Sequence, residues 1–386
     1  MNSPKTLSDT WVPFIVVSLL LSTALVQTVV GFNTVLFPVR LEDYGYSKSL
    51  IGIILSFEIA SVLFIVSSIN RIISSLGLVG TILVGTGGRV LMLFILSQTR
   101  SFPLWCLSIF VFGLSTYLIL IALQTWINGV PLQRYRGLVI GCFSSALSLG
   151  TASGPIVLNI VGVDGQARPF YVVIGIALLC LLIILPFLRF APFITSQPRL
   201  RLLYSIRNAK IPMMSSLVGG VTFFGLPAFI TLYGIMNGLS VQNSALLLVS
   251  FMIGSVFIGP LISALSDSVN KVTLTVSCVL VGVVCAVYLP LGIYDFKVAA
   301  LLMFVWGAAA GGIYATGLSS VGILFRNEDQ VSANVAYSVM DNVGGVVGVL
   351  LIGFLMGAGV TDGIVFVTVF TALSFFIFCL SQLGIE

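Results

Sequence analysis

Residues 169–188 read PFYVVIGIALLCLLIILPFL, a stretch of twenty residues without a charged side chain. An α-helix of about 20 apolar residues crosses the hydrocarbon core of a bilayer, because each residue adds about 1.5 Å of length. A membrane-spanning β-strand would instead alternate apolar and polar residues over about ten positions. The part of the stretch from 178 to 188 is continuously apolar. It therefore predicts a transmembrane helix.

The whole chain has the composition of a membrane protein. Of its 386 residues, 58% are apolar and 8% are charged, against about 45–50% and 25% in soluble proteins. A water-soluble fold cannot hide so much apolar surface, because its shell must be covered by polar groups. The net charge of +5 comes from basic residues scattered singly, which is not a nucleic-acid-binding pattern.

Eleven further runs resemble 169–188 in length and character, which predicts an all-α membrane protein with twelve spans. The first run is too long for the core of a signal peptide and lacks a small-residue cleavage site, so we expect it to be retained. The six cysteines all lie inside apolar runs without a CxxC pair, which indicates core residues and no metal site. The predicted spans 1 to 12 are 11–37, 50–69, 78–98, 103–128, 137–160, 169–188, 211–235, 244–265, 272–293, 298–324, 332–358 and 363–383.

The distribution of basic residues predicts the orientation of these spans. With the N-terminus in the cytoplasm, eleven of the seventeen basic residues lie on the cytoplasmic side and five on the other, and Arg89 lies within a span. Positively charged loops favour the cytoplasmic side. We therefore expect a multi-pass protein of a bacterial cytoplasmic (inner) membrane with both termini in the cytoplasm.

Short motifs recur in the two halves of the chain at a nearly constant offset. This predicts an N-terminal six-helix bundle (1–188), a cytoplasmic linker (189–210) and a C-terminal six-helix bundle (211–386). Two such halves suit a transporter that exposes a central site alternately to each side of the membrane. The motif Ser-Phe-x-Ile-x-Ser occurs at 56–61 and 250–255, Gly-x3-Gly at 150–154 and 344–348, and Gly-x-Ser at 45–47 and 238–240.

Two further motifs resemble those of the major facilitator superfamily. Gly141-x8-Gly150-x3-Gly154-Pro155 in span 5 matches most of its antiporter-type glycine motif. Gly259-Pro260, Ser266-Asp267 and Asn270-Lys271 resemble its cytoplasmic gating-loop motif, whose first-half copy keeps Asn70, Arg71 and Gly77. The resemblance implies a gating role for Asn70, Arg71, Asp267 and Lys271, and the competing interpretation of Asp267 and Lys271 is that they are ordinary solvated loop charges. It also implies a hinge or sliding surface at Gly141, Gly150, Gly154, Pro155, Gly344 and Gly348, although close helix packing alone explains such glycines equally well.

The end of span 4 carries a further signature. Gln124-Thr125-Trp126-Ile127-Asn128, followed by Arg134 and Arg136-Gly137, resembles the Trp-x-Asn pattern of the YcaD-like transporters, a bacterial subgroup of the superfamily. This signature does not identify a substrate.

Three ionisable residues lie inside spans, where an unpaired charge costs about 2.5–3.5 kcal/mol even on the lenient insertion scale. Glu58 in span 2 is about 15 Å below one membrane surface and Arg89 in span 3 about 18 Å above the other, at about 1.5 Å per residue. Both reach the midplane, so they can form an ion pair. That pair is either a static structural contact or part of a proton or substrate site.

Asp341 in span 11 is the third such residue. It lies on the same helix face as Gly344 and Gly348, and the repeat aligns it with Leu147, so its carboxylate belongs to the second half alone. The chain has no histidine. A carboxylate must therefore carry any side-chain proton that moves through the membrane near neutral pH, and Asp341 is the first candidate because its span has no basic residue.

Polar and aromatic residues on the spans that line the cavity in the superfamily fold are candidates for substrate contacts. Each has a competing interpretation as a packing residue, and Trp126 and Asn128 also as anchors at the membrane surface. The candidates are Gln27, Asn33, Gln124, Trp126, Asn128, Phe223, Phe224, Trp306 and Tyr314.

The function expected from these features is secondary active transport of a small organic solute, coupled to protons. The antiporter-type glycine motif favours export, and uptake of a metabolite stays open. ATP does not drive transport, because no GxxxxGK[ST] loop occurs. An enzyme is not expected, since the chain lacks a plausible catalytic set, whereas a lipid flippase-like protein or a receptor is an alternative. We expect a monomer in the lipid bilayer, with no cofactor, metal or nucleic acid.

Overall fold

The computed structural model of the chain describes residues 11–66, 68–130, 136–163, 165, 167–192, 201–265, 269–325 and 328–383. These residues are almost entirely helical and contain no strand. Twelve of their helices are long and apolar enough to cross a membrane. The all-α membrane fold predicted from the apolar runs is therefore confirmed. In lipid the helix is favoured because it pairs every backbone N–H and C=O within one segment.

The helices follow the predicted spans in order. Span 7 is one helical stretch built from Lys210–Gly220, a π-helical turn at Val221–Gly225 and Leu226–Met236. A 3₁₀ helix, Leu185–Phe190, extends span 6, and a short helix, Leu202–Asn208, precedes span 7. The other spans are Val12–Asp43, Lys48–Ile65, Ile69–Gln98, Phe102–Gly129, Arg136–Val161 and Arg168–Ile184 in the first half, and Val241–Leu265, Lys271–Gly292, Phe296–Leu324, Glu328–Gly357 and Gly363–Leu383 in the second.

Span 3 differs most from its predicted bounds. Its helix begins at Ile69 and is interrupted at Gly77, whose φ of 66° and ψ of 172° are not helical. A positive φ is open to glycine because it has no Cβ. The segment before Gly77 is thus a separate helical piece, and the apolar run that begins at residue 78 marks only the part after the break.

The chain divides into two compact units. Unit 1 comprises Met1–Asn33 and Phe64–Gln197, and unit 2 comprises Thr34–Leu63 and Pro198–Glu386. The hydrophobic core of unit 1 includes Trp126 together with residues of spans 1, 3, 4 and 6. Unit 2 has buried apolar clusters around Phe375 and Tyr337. The predicted bounds of the two six-helix bundles stay a prediction.

Within unit 1, spans 1 and 5 approach each other through small residues. A methyl group on Gly31 would overlap the carbonyl oxygen of Thr151, and one on Gly154 would overlap the backbone around Gly31. The Thr28 hydroxyl bonds with the Ser153 hydroxyl at 2.8 Å in the same contact. Such small residues allow close backbone packing where no hydrophobic effect drives helices together.

Within unit 2, spans 7 and 11 make the corresponding contact. A methyl group on Gly344 would overlap the carbonyl oxygen of Leu217, and one on Gly220 would overlap that of Asp341. Gly225 packs on Gly348, as Gly31 packs on Gly154 in unit 1. The residues of one pair lie 194 positions after those of the other. The repeated motif therefore carries a repeated helix contact.

Candidate functional site

Asp341 lies on a polar face of span 11. The side chain of Asn334 is exposed, and those of Ser338, Asp341 and Asn342 are half-buried. Their spacing of four, seven and eight residues from Asn334 places all four on one side of the helix. The Asn342 amide donates to the Ser338 carbonyl oxygen at 2.7 Å. Because polar groups facing lipid are costly, we assign this face to the protein interior or to water.

Spans 7 and 10 surround Asp341 within unit 2. Gly219 of span 7 is so close that a methyl group there would lie 3.9 Å from Asp341 Oδ1. In the described part of the chain, the carboxylate of Asp341 has no hydrogen bond and no ion pair. An acceptor group inside a span is thus available to a proton or a ligand.

The charge of Asp341 acts electrostatically on two tyrosine side chains. Tyr314 of span 10 is 37% exposed, whereas Tyr337 of span 11 is fully buried. Their rings pack edge to face with centroids 5.5 Å apart, and the Tyr337 hydroxyl donates to the Tyr314 carbonyl oxygen at 3.1 Å. A hydrogen bond joins the side chains of Tyr314 and Ser338. The tyrosine pair is held firmly, and its exposed member is Tyr314.

The π-helical turn of span 7 brings Phe224 to the same place. A methyl group on Gly345, one turn beyond Asp341, would lie 2.7 Å from a ring carbon of Phe224. Phe223 packs instead against Phe251, with centroids 6.0 Å apart. A π-turn inserts one residue and changes the direction of the side chains around it, and such turns often occur at functional sites. We call Phe224, Tyr314 and Asp341 the span-11 site.

Arg89 lies deep in unit 1. Its side chain is 1% exposed, its Nη2 donates to the carbonyl oxygen of Val26 at 2.8 Å, and its Cζ lies 5.0 Å from the centre of the Phe112 ring. The charge of Arg89 in span 3 is therefore stabilised by a carbonyl group of span 1 and an aromatic ring of span 4. Glu58 is half-buried in span 2. Its pairing with Arg89 stays a prediction.

The other predicted cavity residues fall into two groups. Asn33 is fully buried, and no described residue forms a hydrogen bond with either of its amide atoms. Gln27 is half-buried, and Gln124 and Asn128 are exposed. Trp126 and Trp306 are fully buried, Trp126 in the core of unit 1 and Trp306 beside Gly282. Of the nine cavity candidates, the structure places Phe224 and Tyr314 at the span-11 site.

The predicted gating and hinge residues are only partly described. Asp267 and the side chains of Asn70 and Gly141 lie outside the described residues, and Arg71 is exposed. Lys271 is half-buried at the start of span 9, where the Asn270 side chain accepts hydrogen bonds from the Val272 and Thr273 amides. Pro155 lies inside the helix of span 5, directly after Gly154. Gly150, like Gly344, packs against the backbone of a neighbouring span.

Sequence reasoning missed Tyr337, Ser338 and Asn334. A signal existed for the last two, because polar residues at 334, 338, 341 and 342 recur with helical spacing in an otherwise apolar span. No comparable signal marks Tyr337. A lone aromatic residue in an apolar run is typical of a core position, and its contact with Tyr314 joins two different spans.

The twelve-span fold, together with a carboxylate inside one span that no described residue pairs with, is typical of membrane transporters, and comparison with known proteins agrees. Residues 19–349 match the model of the Major Facilitator Superfamily. The chain belongs to this superfamily and is a multi-pass membrane protein of a family of secondary transporters, whose substrates are small molecules.

Individual relatives are distant in sequence. The chain is 24% identical over 344 residues to the uncharacterized MFS-type transporter YfkF of Bacillus subtilis (strain 168), covering 86% of this chain and 87% of that protein. A crystal structure of a point mutant of the nucleoside transporter NupG superposes with a TM-score of 0.78 at 13% identity, covering 94% of this chain and 99% of that chain. A second crystal structure of NupG gives a TM-score of 0.76 at 16% identity, covering 94% of this chain and 98% of that chain. The bacterial homologue of the human lysosomal transporter Spinster, inward-facing and occupied, gives 0.76 at 13% identity, over 96% and 97% of the two chains. At these identities the structural likeness shows the fold.

Proposed function

We propose that this protein is a proton-coupled secondary active transporter that moves a small organic solute by alternating access, with export favoured. The observation that carries the proposal is the carboxylate of Asp341, which lies within span 11, half-buried and without a hydrogen bond or ion pair to any described residue. The superfamily fold supports transport. The glycine motif at residues 141–155 supports export over uptake of a metabolite.

Proton coupling requires a group that exchanges a proton for another interaction during the cycle. Asp341 meets this requirement because its oxygens are engaged by no described donor. Span 7 opposes it with Gly219 and Gly220, which do not titrate. Tyr314 and Tyr337 are titratable groups on which the Asp341 charge acts electrostatically. Other ionisable groups on the elements packed against span 11 are Lys48, Glu58, Tyr204, Arg207, Lys210, Tyr233, Lys297 and Cys379.

The experiment uses proteoliposomes with an imposed pH gradient and a mixture of small organic solutes resolved by mass spectrometry. We expect the wild type to move at least one solute against its concentration gradient. Asp341→Asn mimics the protonated side chain, so at saturating solute concentrations it should exchange that solute between the two sides but lose accumulation driven by the pH gradient. Asp295→Asn is the matched control, because Asp295 is an exposed helix cap that asparagine replaces well.

Two results would change the assignment. If Asp341→Asn keeps full gradient-driven transport and Glu58→Gln abolishes it, Glu58 carries the proton. If both variants stay fully coupled, protons do not drive transport. A protein that binds solutes but moves none would be a receptor, and movement of labelled phospholipid alone would indicate a flippase-like activity.

Three finer assignments belong to the same proposal. The Trp126-x-Asn128 signature supports membership of the YcaD-like subgroup. The loop motifs support a gating role for Arg71 and Lys271, together with Asn70 and Asp267. The excess of basic residues on one side supports a bacterial inner membrane location with both termini in the cytoplasm.

A further inference from the structure

We propose that the span-11 site binds a small organic cation, whose ammonium group pairs with Asp341 and whose apolar part lies against Tyr314 and Phe224. This inference rests on the proposed transport function and names the substrate class of the same site. Three observations carry it: the charge distribution in the second half of the chain, the aromatic groups near the carboxylate, and the glycine that span 7 presents to it.

The charge distribution favours a cationic ligand. From Lys210 onward, basic residues within the described helices occupy only the first or second position, as Lys210, Lys271 and Lys297 do. No basic side chain therefore lies along the middle of these spans to neutralise Asp341 or to hold an anion. An anionic solute would be repelled by the carboxylate, whereas a cation supplies the charge partner that the described residues do not.

The aromatic groups favour an organic cation over a bare metal ion. The Tyr314 ring is 37% exposed and is fixed by its edge-to-face contact with Tyr337 and by the hydrogen bond between its side chain and Ser338. The Phe224 ring packs on Gly345, one turn from Asp341. An ammonium group is attracted to the face of an aromatic ring. The described residues contain no group of three His, Cys, Asp or Glu side chains that could hold a metal ion.

Span 7 presents glycine, and no larger side chain, to the carboxylate. A methyl group on Gly219 would meet only Ile313, at 3.4 Å, and Asp341 Oδ1, at 3.9 Å. The Phe224 ring fills the place beside Gly345. Ile313 and Phe224 thus place apolar carbon close to the part of span 11 that carries the carboxylate. This arrangement is typical of sites for small amphipathic molecules.

The test uses three probes of nearly equal shape that differ in charge: benzyltrimethylammonium (cation), neopentylbenzene (neutral) and phenylmethanesulfonate (anion). Binding to the purified protein in detergent is measured from the shift in unfolding temperature as probe concentration rises. We expect the cation to bind the wild type at least about tenfold more tightly than Asp341→Asn, which corresponds to the loss of one charge pair. The neutral and anionic probes should not distinguish the two proteins, so any effect of probe on the micelle cancels.

Variants of the aromatic residue make the test independent of Asp341→Asn, should that variant fail to fold. Tyr314→Leu should weaken binding of the cation by about two- to fivefold through loss of the cation–π contact. Tyr314→Phe keeps an aromatic ring, so it should bind the cation as tightly as the wild type does. Asp295→Asn should bind all three probes as the wild type does. Equal binding of the cation to the wild type and to both Asp341→Asn and Tyr314→Leu would overturn the inference, as would preferential binding of the anion.

The outcome separates this inference from the proposed function. If the cation shows no dependence on Asp341 while Asp341→Asn still uncouples transport from the pH gradient, the cation site is wrong and proton coupling stands. If cation binding depends on Asp341 while transport by Asp341→Asn stays coupled, the proton assignment is wrong and the cation site stands.

Discussion

Arg89 shows how a single residue keeps a fixed charge inside the bilayer. Its guanidinium group donates a hydrogen bond to the Val26 carbonyl and lies over the Phe112 ring. Both contacts come from unit 1 and neither requires a carboxylate. Asp341 is different, because no described residue donates to it. The fold supplies contacts for the charge of Arg89, whereas the carboxylate of Asp341 is available to bind and release a proton.

We predict that Arg89 also pairs with Glu58. Arg89→Met should lower the free energy of unfolding by about 3–5 kcal/mol, because it removes the bond to Val26 and leaves the half-buried carboxylate of Glu58 inside the membrane without its partner. Replacing both residues, as in Arg89→Met with Glu58→Leu, should recover most of this loss. Thermal unfolding in detergent measures the effect, with Lys297→Met as an exposed control. Identical unfolding temperatures for the single and double variants would contradict the pairing.

At the scale of helices, the contacts between spans 1 and 5 and between spans 7 and 11 depend on the absence of side chains. Gly154 and Gly348 each face the backbone of the neighbouring span. Lipid is as apolar as the helix surfaces, so close packing and weak polar contacts stabilise these pairs. The same glycines therefore serve packing, whether or not they also serve movement.

Alanine substitutions test this packing directly. Gly344→Ala should destabilise the protein by about 1–3 kcal/mol, since the new methyl group overlaps the Leu217 carbonyl oxygen. Gly87→Ala is the matched control, because Gly87 lies in the helix of span 3 with open space where a methyl group would point. Its stability should be unchanged or raised by up to about 1 kcal/mol. Unfolding temperatures of both variants and the wild type, measured in the same detergent, test this expectation. Equal shifts for the two variants would contradict it and would show that spans 7 and 11 can move apart without loss of stability.

For the whole molecule, orientation follows from loop charge. We predict that a fluorescent protein fused after Glu386 fluoresces in bacterial cells and that alkaline phosphatase fused there is inactive, because basic loops stay in the cytoplasm. A fusion after Ala358, between spans 11 and 12, should show the opposite activities. The reverse pattern at both sites would place the termini outside the cytoplasm.

The two-bundle organisation also belongs to this scale. We predict that the linker 189–210 adds little to the stability of the bundles 1–188 and 211–386, so that cleavage at a protease site introduced in the linker leaves the unfolding temperature of the intact protein unchanged. Cleavage between spans 8 and 9, inside one bundle, should lower it. Loss of stability after linker cleavage would mean that the linker is a structural part of the fold.

The sequence by itself determined the number and type of the spans and singled out the charges within them. Apolar runs of about 20 residues must become helices in lipid, because no water is present to satisfy the backbone. An Asp, Glu or Arg in such a run is conspicuous because it is costly there. The offset of 194 residues also identified the glycines that pack alike in the two units.

Only the tertiary structure decided which residues meet Asp341. Tyr314 and Phe224 come from other spans, and nothing in an apolar run indicates which face of one helix opposes another. Trp126 illustrates the same limit, since a tryptophan near polar residues suggested a substrate contact and the fold places it in the core of unit 1. The π-turn at Val221–Gly225 changes the direction of the side chains around it and brings Phe224 onto Gly345. Pro227 disfavours an ordinary α-helical bond to the Phe223 carbonyl at this place, but the sequence of span 7 does not show which span the Phe224 ring then meets.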